Sequence, residues 1–292
     1  MSATATPTLR TPAPASASSS SWQLWVAQIL AILRIELKKN LLKKRNIWIY
    51  LLALGPVVVI GLHTLLDKGD PTGLTEDTNI LAGIFQLFYL RLGIFFGCMV
   101  LFTWLFRGEI VEKSLHYYFL SPVRREILII GKFLSGAITA VFIFGLAVFL
   151  CFAFMYIHFG KAGMAFIFDG PGLGHLFAYL GVTALACLGY GSVFLALSLV
   201  IKNPILPGAV VLLWETFHTV LPSLLQKFSV MFYLKQLCPV TIPAEEGLSL
   251  FTVITEPVSP WLAVPGLLCL CAAILVFACF RIRRTEISYL AD

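Results

Sequence analysis

Apolar positions along the chain follow two patterns. From Trp22 to Leu41 they recur at helical spacing. Trp22, Trp25, Val26, Ile29, Leu30, Leu33, Leu37 and Leu41 share one stripe, with Arg34, Lys38 and Lys39 between them. Beyond Ile47 the apolar residues come instead in continuous runs. A helix needs about 20 such residues to cross the hydrocarbon of a bilayer. Six runs meet that length: about 47–66, a stretch within 80–106, then about 133–157, 176–201, 205–225 and 262–280. The second is too long for one perpendicular crossing, which predicts a tilted span or one that begins in the interface.

The remainder is polar and falls into segments. Residues 1–21 are Ser, Thr, Ala and Pro with one Arg, and read as a disordered tail. Residues 22–45 form a basic amphipathic helix, residues 46–284 the membrane domain, and residues 285–292 a short tail. An aromatic and aliphatic face beside a basic one suits a helix lying among lipid headgroups. It also suits a helix packed on other protein, and both readings stand.

Composition agrees with the pattern. The chain has 292 residues, 59% of them hydrophobic and 12% charged. Soluble domains carry about 25% charge, so an ordinary soluble enzyme and a disordered chain are both excluded. The net charge of +6 is explained by where the cations fall. Most Lys and Arg lie on one side of the spans, while Lys68, Lys161, Lys227 and Lys235 lie on the other. Cytoplasmic loops carry the basic excess, so both termini are expected in the cytoplasm and no nucleic-acid partner is expected. The seven cysteines lie mostly in apolar runs, where cysteine acts as a small hydrophobe. No metal-ligand spacing is present.

The segment 107–132, RGEIVEKSLHYYFLSPVRREILIIGK, joins the second and third runs on the basic side. Val111, Leu115, Tyr118 and Phe119 make an apolar strip, with Glu109 and Glu112 off it. Pro122 ends the helix, because the residue before a proline avoids the helical region. Arg124 and Arg125 then reach the membrane surface, and Lys132 enters the next span, where it is expected to snorkel toward the headgroups.

This loop resembles that of the ATP-binding-cassette (ABC) transporter permeases of the second, export type. Six spans after a basic amphipathic helix, cytoplasmic ends and a large outer loop before the last span extend the resemblance. It implies an all-α membrane protein with a cytoplasmic coupling helix between spans two and three. Glu109, Val111, Glu112, Leu115, Tyr118, Phe119, Pro122, Arg124 and Arg125 would dock a separate ABC ATPase subunit. It also implies two permeases, alike or different, working with two ATPases in the plasma membrane. The chain itself carries no phosphate-binding GxxxxGK[ST] segment. It is therefore expected to be a transporter subunit, not an enzyme, with no cofactor of its own. ATP and Mg would belong to the partner.

Ionisable residues within spans cost at least about 2.5–3.5 kcal/mol each at the centre. Arg91, Glu215 and His218 therefore need a reason. At 1.5 Å per residue, Glu215 stands about 15 Å into its span and Arg91 about 22 Å above the inner end of its own. This predicts an Arg91–Glu215 pair, within one subunit or across a dimer, with His218 on the Glu215 face. The three either line the transport pathway or lock helices together. Two other functions remain: an ATP-independent secondary transporter or channel, which would need helices broken at mid-membrane, and an intramembrane enzyme, for which no catalytic constellation is present.

Overall fold

The computed structural model describes residues 21–42, 46–66, 73–111, 120, 123–201, 205–217, 220–240 and 259–283. Regular structure among them is helical. Helix α1 (Ser21–Leu42) leads into α2 (Ile47–Leu66). Helix α3 (Leu74–Gly83), a π-helical stretch (Ile84–Gly93) and α4 (Ile94–Val111) form one continuous rod. Then come α5 (Arg125–Ile157), α6 (Lys161–Phe168), α7 (Gly172–Val200), α8 (Ile205–Thr216), α9 (Ser223–Gln226), α10 (Val230–Leu237) and α11 (Pro260–Arg283).

Among the described residues, five helical rods are long and apolar enough to cross a membrane: Ile47–Leu66, Leu74–Glu109, Arg125–Ile157, Gly172–Val200 and Pro260–Arg283. The second has 36 residues, about 54 Å of helix, so the overlong run at this position extends at both ends. The third starts eight residues before the expected 133, at Arg125. The expected fifth span, 205–225, is different. It is a 12-residue helix, about 18 Å long, followed by a break and the short helices α9 and α10. Pro222 opposes continuation, and polar groups near the break hold the chain in another path, described below.

Helices α5 and α7 form the centre. Helix α5 packs on α1, α2, α4, α7 and α11, and α7 packs on α4, α10 and α11 as well. Lipid offers no hydrophobic drive for helices to associate, so close packing must hold them. Between α4 and α7 it is aromatic. The Phe95 ring meets Tyr190 at 5.3 Å and Phe194 at 5.0 Å, edge to face. Two turns further along α4, the Phe102 ring lies against Gly191, where a Cβ would come within 2.5 Å of it. At Gly181, by contrast, a Cβ would meet open space.

Helix α1 lies on α5. Its buried positions are Ile32, Glu36 and Asn40, while Trp22, Trp25, Val26 and Leu30 are exposed. The tryptophan end of the stripe read from the sequence therefore faces outward, while Ile29, Leu33, Leu37 and Leu41 are half-buried. A second face, partly polar, is the one that packs. Gly131 of α5 makes the approach possible, since a Cβ there would stand 2.9 Å from the Ile32 side chain.

Gly191→Leu is expected to separate α4 from α7, at about 1–3 kcal/mol. Gly181→Leu, facing open space, is expected to change stability little. Thermal unfolding of the two purified variants in one detergent checks the contrast.

Candidate functional site

The ends of the 112–122 loop are where the bundle concentrates its charge. Lys132 is seven residues into α5 and 0% exposed. Its ammonium lies 2.9 Å from Glu36 Oε1 of α1 and 2.7 Å from Glu109 Oε1 of α4. It also donates to the Leu105 carbonyl at 3.1 Å. Lys39 of α1 completes the group, 2.9 Å from Glu109 and 4.0 Å from Glu36. Two carboxylates and two ammoniums thus form a neutral tetrad. Both carboxylate residues are about 1% exposed. Burial alone would raise the Glu36 carboxyl, but the Lys132 and Lys39 charges outweigh it and hold it below its ordinary value.

Local sequence explains the convergence. Ile32, Glu36 and Asn40 stand four apart and share one face of α1. Asn40 donates to Ser135 Oγ at 3.0 Å, one turn beyond Lys132 on α5. The face is set by these two contacts and by Gly131.

Two expectations change here. Lys132 does not snorkel: its ammonium is enclosed and triply bonded. Glu109 is turned inward, and its carboxylate is taken up by lysines instead of facing the cytosol. Glu36 was not singled out from the sequence. The signal was present as the one acidic residue in a basic helix, in register with Asn40.

The downstream end of the loop is fastened too. The Arg124 guanidinium lies 5.0 Å above the Trp25 ring of α1. Arg125 donates to the carbonyls of Ile282 and Arg283, each at 3.3 Å, at the C-terminus of α11. Glu126 accepts from Arg283. Between these anchors, Glu112, Leu115, Tyr118, Phe119 and Pro122 lie outside the described residues, and Val111 is described only as the last backbone position of α4.

A second polar centre lies at the broken passage. Glu215, near the end of α8, is 7% exposed. Its Oε2 accepts from Ser229 Oγ at 2.7 Å and from the Met231 amide at 2.9 Å, and its Oε1 accepts from the Val230 amide at 3.0 Å. The carboxylate thereby caps the first amides of α10, which have no partner within their own helix. Ser229 caps Phe232 at 3.2 Å, and the Gln226 amide bonds the Leu221 carbonyl at 2.9 Å. Within the chain the Glu215 carboxylate is engaged by Ser229 and by the α10 amides, and no Arg91–Glu215 ion pair is formed among the described residues. His218 lies outside the described residues.

Arg91 is in the π-helical stretch, where the Ile94 amide reaches the Tyr89 carbonyl, five residues back. From the same stretch Gln86 donates to the Val240 carbonyl at 2.6 Å. At the opposite end of the bundle, the imidazole Nε2 atoms of His63 and His158 each lie 3.5 Å from one oxygen of the buried Asp77. Thr78 and Tyr156 share a hydroxyl hydrogen bond of 3.0 Å beside them. No metal-binding group of three or more His, Cys, Asp or Glu is present among the described residues.

A family model described as "ABC-2 family transporter protein" matches residues 32–218. The matched stretch begins where α1 first packs on α5. It contains the whole tetrad and the loop. No curated protein gives a significant match to the chain.

Lys132→Met leaves two buried carboxylates short of a partner and is expected to cost about 3–5 kcal/mol, read as a lower melting temperature. Adding Glu109→Gln is expected to recover part of it. Because the Glu36 carboxyl is held low, its contribution is full above the ordinary carboxyl value of 4.5 and is lost as pH falls through the lower folded value. The melting-temperature gap between the wild type and Glu36→Gln should therefore narrow below pH 4.5.

Proposed function

The chain belongs to the ABC-2 family of transporter proteins, and we propose that it is the membrane-spanning subunit of an ATP-driven exporter whose ATPase is a separate chain. The observation that carries this reading is the tetrad. A loop meant to take load from a soluble motor needs ends that do not yield. Glu109 and Lys132 stand at the two roots of the 107–132 segment and are joined directly at 2.7 Å. Arg124, Arg125 and Glu126 tie the second root to α1 and α11. Force on residues 112–122 would thus reach four helices together.

In this reading Glu112, Leu115, Tyr118, Phe119 and Pro122 form the ATPase-docking surface. Closure of two nucleotide sites draws two such loops together and changes the side to which the pathway opens. The chain has no phosphate-binding loop of its own, so hydrolysis, with ATP and Mg, is assigned to the partner. Two permeases, alike or different, complete the assembly with two ATPases in the plasma membrane.

Six crossings fit best, with α8, the break and α10 making up the fifth. Irregular backbone is tolerated at membrane depth only where its polar groups are satisfied by protein, and Glu215, Gln226 and Ser229 do that here. Both termini then face the cytoplasm, in keeping with the basic flank of α1 and with Arg281 and Arg283 at the end of α11.

One observation favours an ATP-independent transporter or channel instead: the broken passage beside a π-helical stretch, since such transporters bind at discontinuous helices. The two readings part in one experiment. Co-expressed with the ATPase encoded beside it, the chain is expected to co-purify, and Tyr118→Asp with Phe119→Asp is expected to abolish co-purification without lowering the melting temperature. Transport by the purified chain alone, without ATP, would overturn the exporter reading.

A further inference from the structure

Helix α1 runs beside the end of α5 that a bilayer cannot hold. Helix α5 has 33 residues, about 50 Å of helix, and the hydrocarbon takes up only about 30 Å. Contacts between the two helices advance in the same direction. Arg124 at the start of α5 lies over Trp25, Lys132 meets Glu36, and Ser135 accepts from Asn40. Helix α2 has 20 residues, about 30 Å, and needs all of them to cross. The edge of the hydrocarbon therefore falls between Leu42, where α1 ends, and Ile47, where α2 begins. Lys38 and Arg34 stand about 6 and 12 Å along the helix before Leu42. At that depth the polar layer of a bilayer, about 5–8 Å thick on each side, gives way to water.

The face presented at that level is cationic. At about 100° per residue, Arg34 and Lys38 fall opposite the packed positions Ile32, Glu36 and Asn40, and both are exposed. An open cleft of about 440 Å³ is lined by Arg34, Ile35, Lys38 and Lys39. Lys39 is balanced by Glu109 and Glu36. Among the described residues Arg34 and Lys38 form no ion pair and no side-chain hydrogen bond. Standing four apart, they are neighbours on the helix surface, where like charges destabilise. Ile35, 61% exposed, adds an aliphatic wall to the cleft, and Leu30, 58% exposed, lies one turn before Arg34.

We propose that this cleft holds the phosphodiester of an anionic phospholipid from the leaflet at the charged end of the bundle. The Arg34 guanidinium offers a fork of donors to the phosphate oxygens, and the Lys38 ammonium adds a point charge one turn on. Ile35 meets the glycerol and the first methylenes. A lipid is favoured over a soluble anion or an acidic protein because the cations stand where headgroups end, with exposed apolar side chains beside them. Helix α1 is thereby held on two faces, by Glu36 in the tetrad and by lipid opposite it. The site does not depend on the exporter reading above.

The test uses the purified full chain in neutral detergent, without ATPase. Its melting temperature is titrated with phosphatidylglycerol, with phosphatidylcholine and with inorganic phosphate in turn. Phosphatidylglycerol is expected to raise it most. Arg34→Gln with Lys38→Gln is expected to raise the half-maximal phosphatidylglycerol concentration at least about tenfold. Both side chains are exposed, so this variant is expected to melt near the wild type when no lipid is added. Lys161→Gln with Lys227→Gln, which removes two exposed cations elsewhere, is expected to leave the half-maximal concentration unchanged. An equal rise with phosphatidylcholine overturns the proposal, because the charge is then not read. An equal rise with inorganic phosphate overturns it too, because no lipid is then required. So does no rise with phosphatidylglycerol, a response unchanged by the Arg34 and Lys38 substitutions, or one weakened equally by both pairs. If those substitutions instead abolish co-purification with an ATPase and leave the lipid response as it was, the face belongs to that partner. The lipid site then falls and the exporter reading stands.

Discussion

The tetrad built on Lys132 is the contact on which the charged end of the bundle depends. An ammonium removed from water must be compensated in full, or its helix will not stay where it is. Lys132 achieves that only if α1, α4 and α5 all keep their places, because Glu36, Glu109 and the Leu105 carbonyl come from different directions. The interaction contributes less to net stability than to geometry. Nonpolar residues of equal volume would hold the helices together but would permit many more registers. Charge complementarity permits one.

The same rule of full satisfaction explains the break after α8. A helix that stops inside a membrane exposes amides and carbonyls that hydrocarbon cannot serve. Glu215 supplies two acceptors where α10 begins, and Gln226 bonds the carbonyl left at Leu221. A glutamate in an apolar run looks like a buried charge in search of a cation. Here its partner is the positive end of the next helix, where a carboxylate is favoured.

Much of this was legible in the sequence. Continuous apolar runs gave four of the spans within a few residues, and the stripe from Trp22 gave α1. The errors share one cause. Periodicity reports which residues are apolar, not which face is covered, so the exposed aromatic side of α1 was visible and the packed side with Glu36 and Asn40 was not. Lys132 sits close enough to a span end for snorkelling to be the natural expectation. Only the positions of Glu36 and Glu109 reveal a closer alternative. The 205–225 run has the composition of a span; Pro222 within it opposes continuation, and the donors that take up Glu215, namely Ser229 and the Val230 and Met231 amides, lie downstream of it. The π-helical turn between Ile84 and Gly93 has no composition of its own. The family match spans 32–218, which covers the tetrad and ends just past α8, where the irregular segment begins.

At the far rim, Asp77 of α3 lies 3.5 Å from an imidazole nitrogen of both His63 on α2 and His158 just past the end of α5. Polar groups thus gather near both ends of the bundle. Between them, two adjoining stretches have given up α-helical regularity, one by widening and the other by breaking.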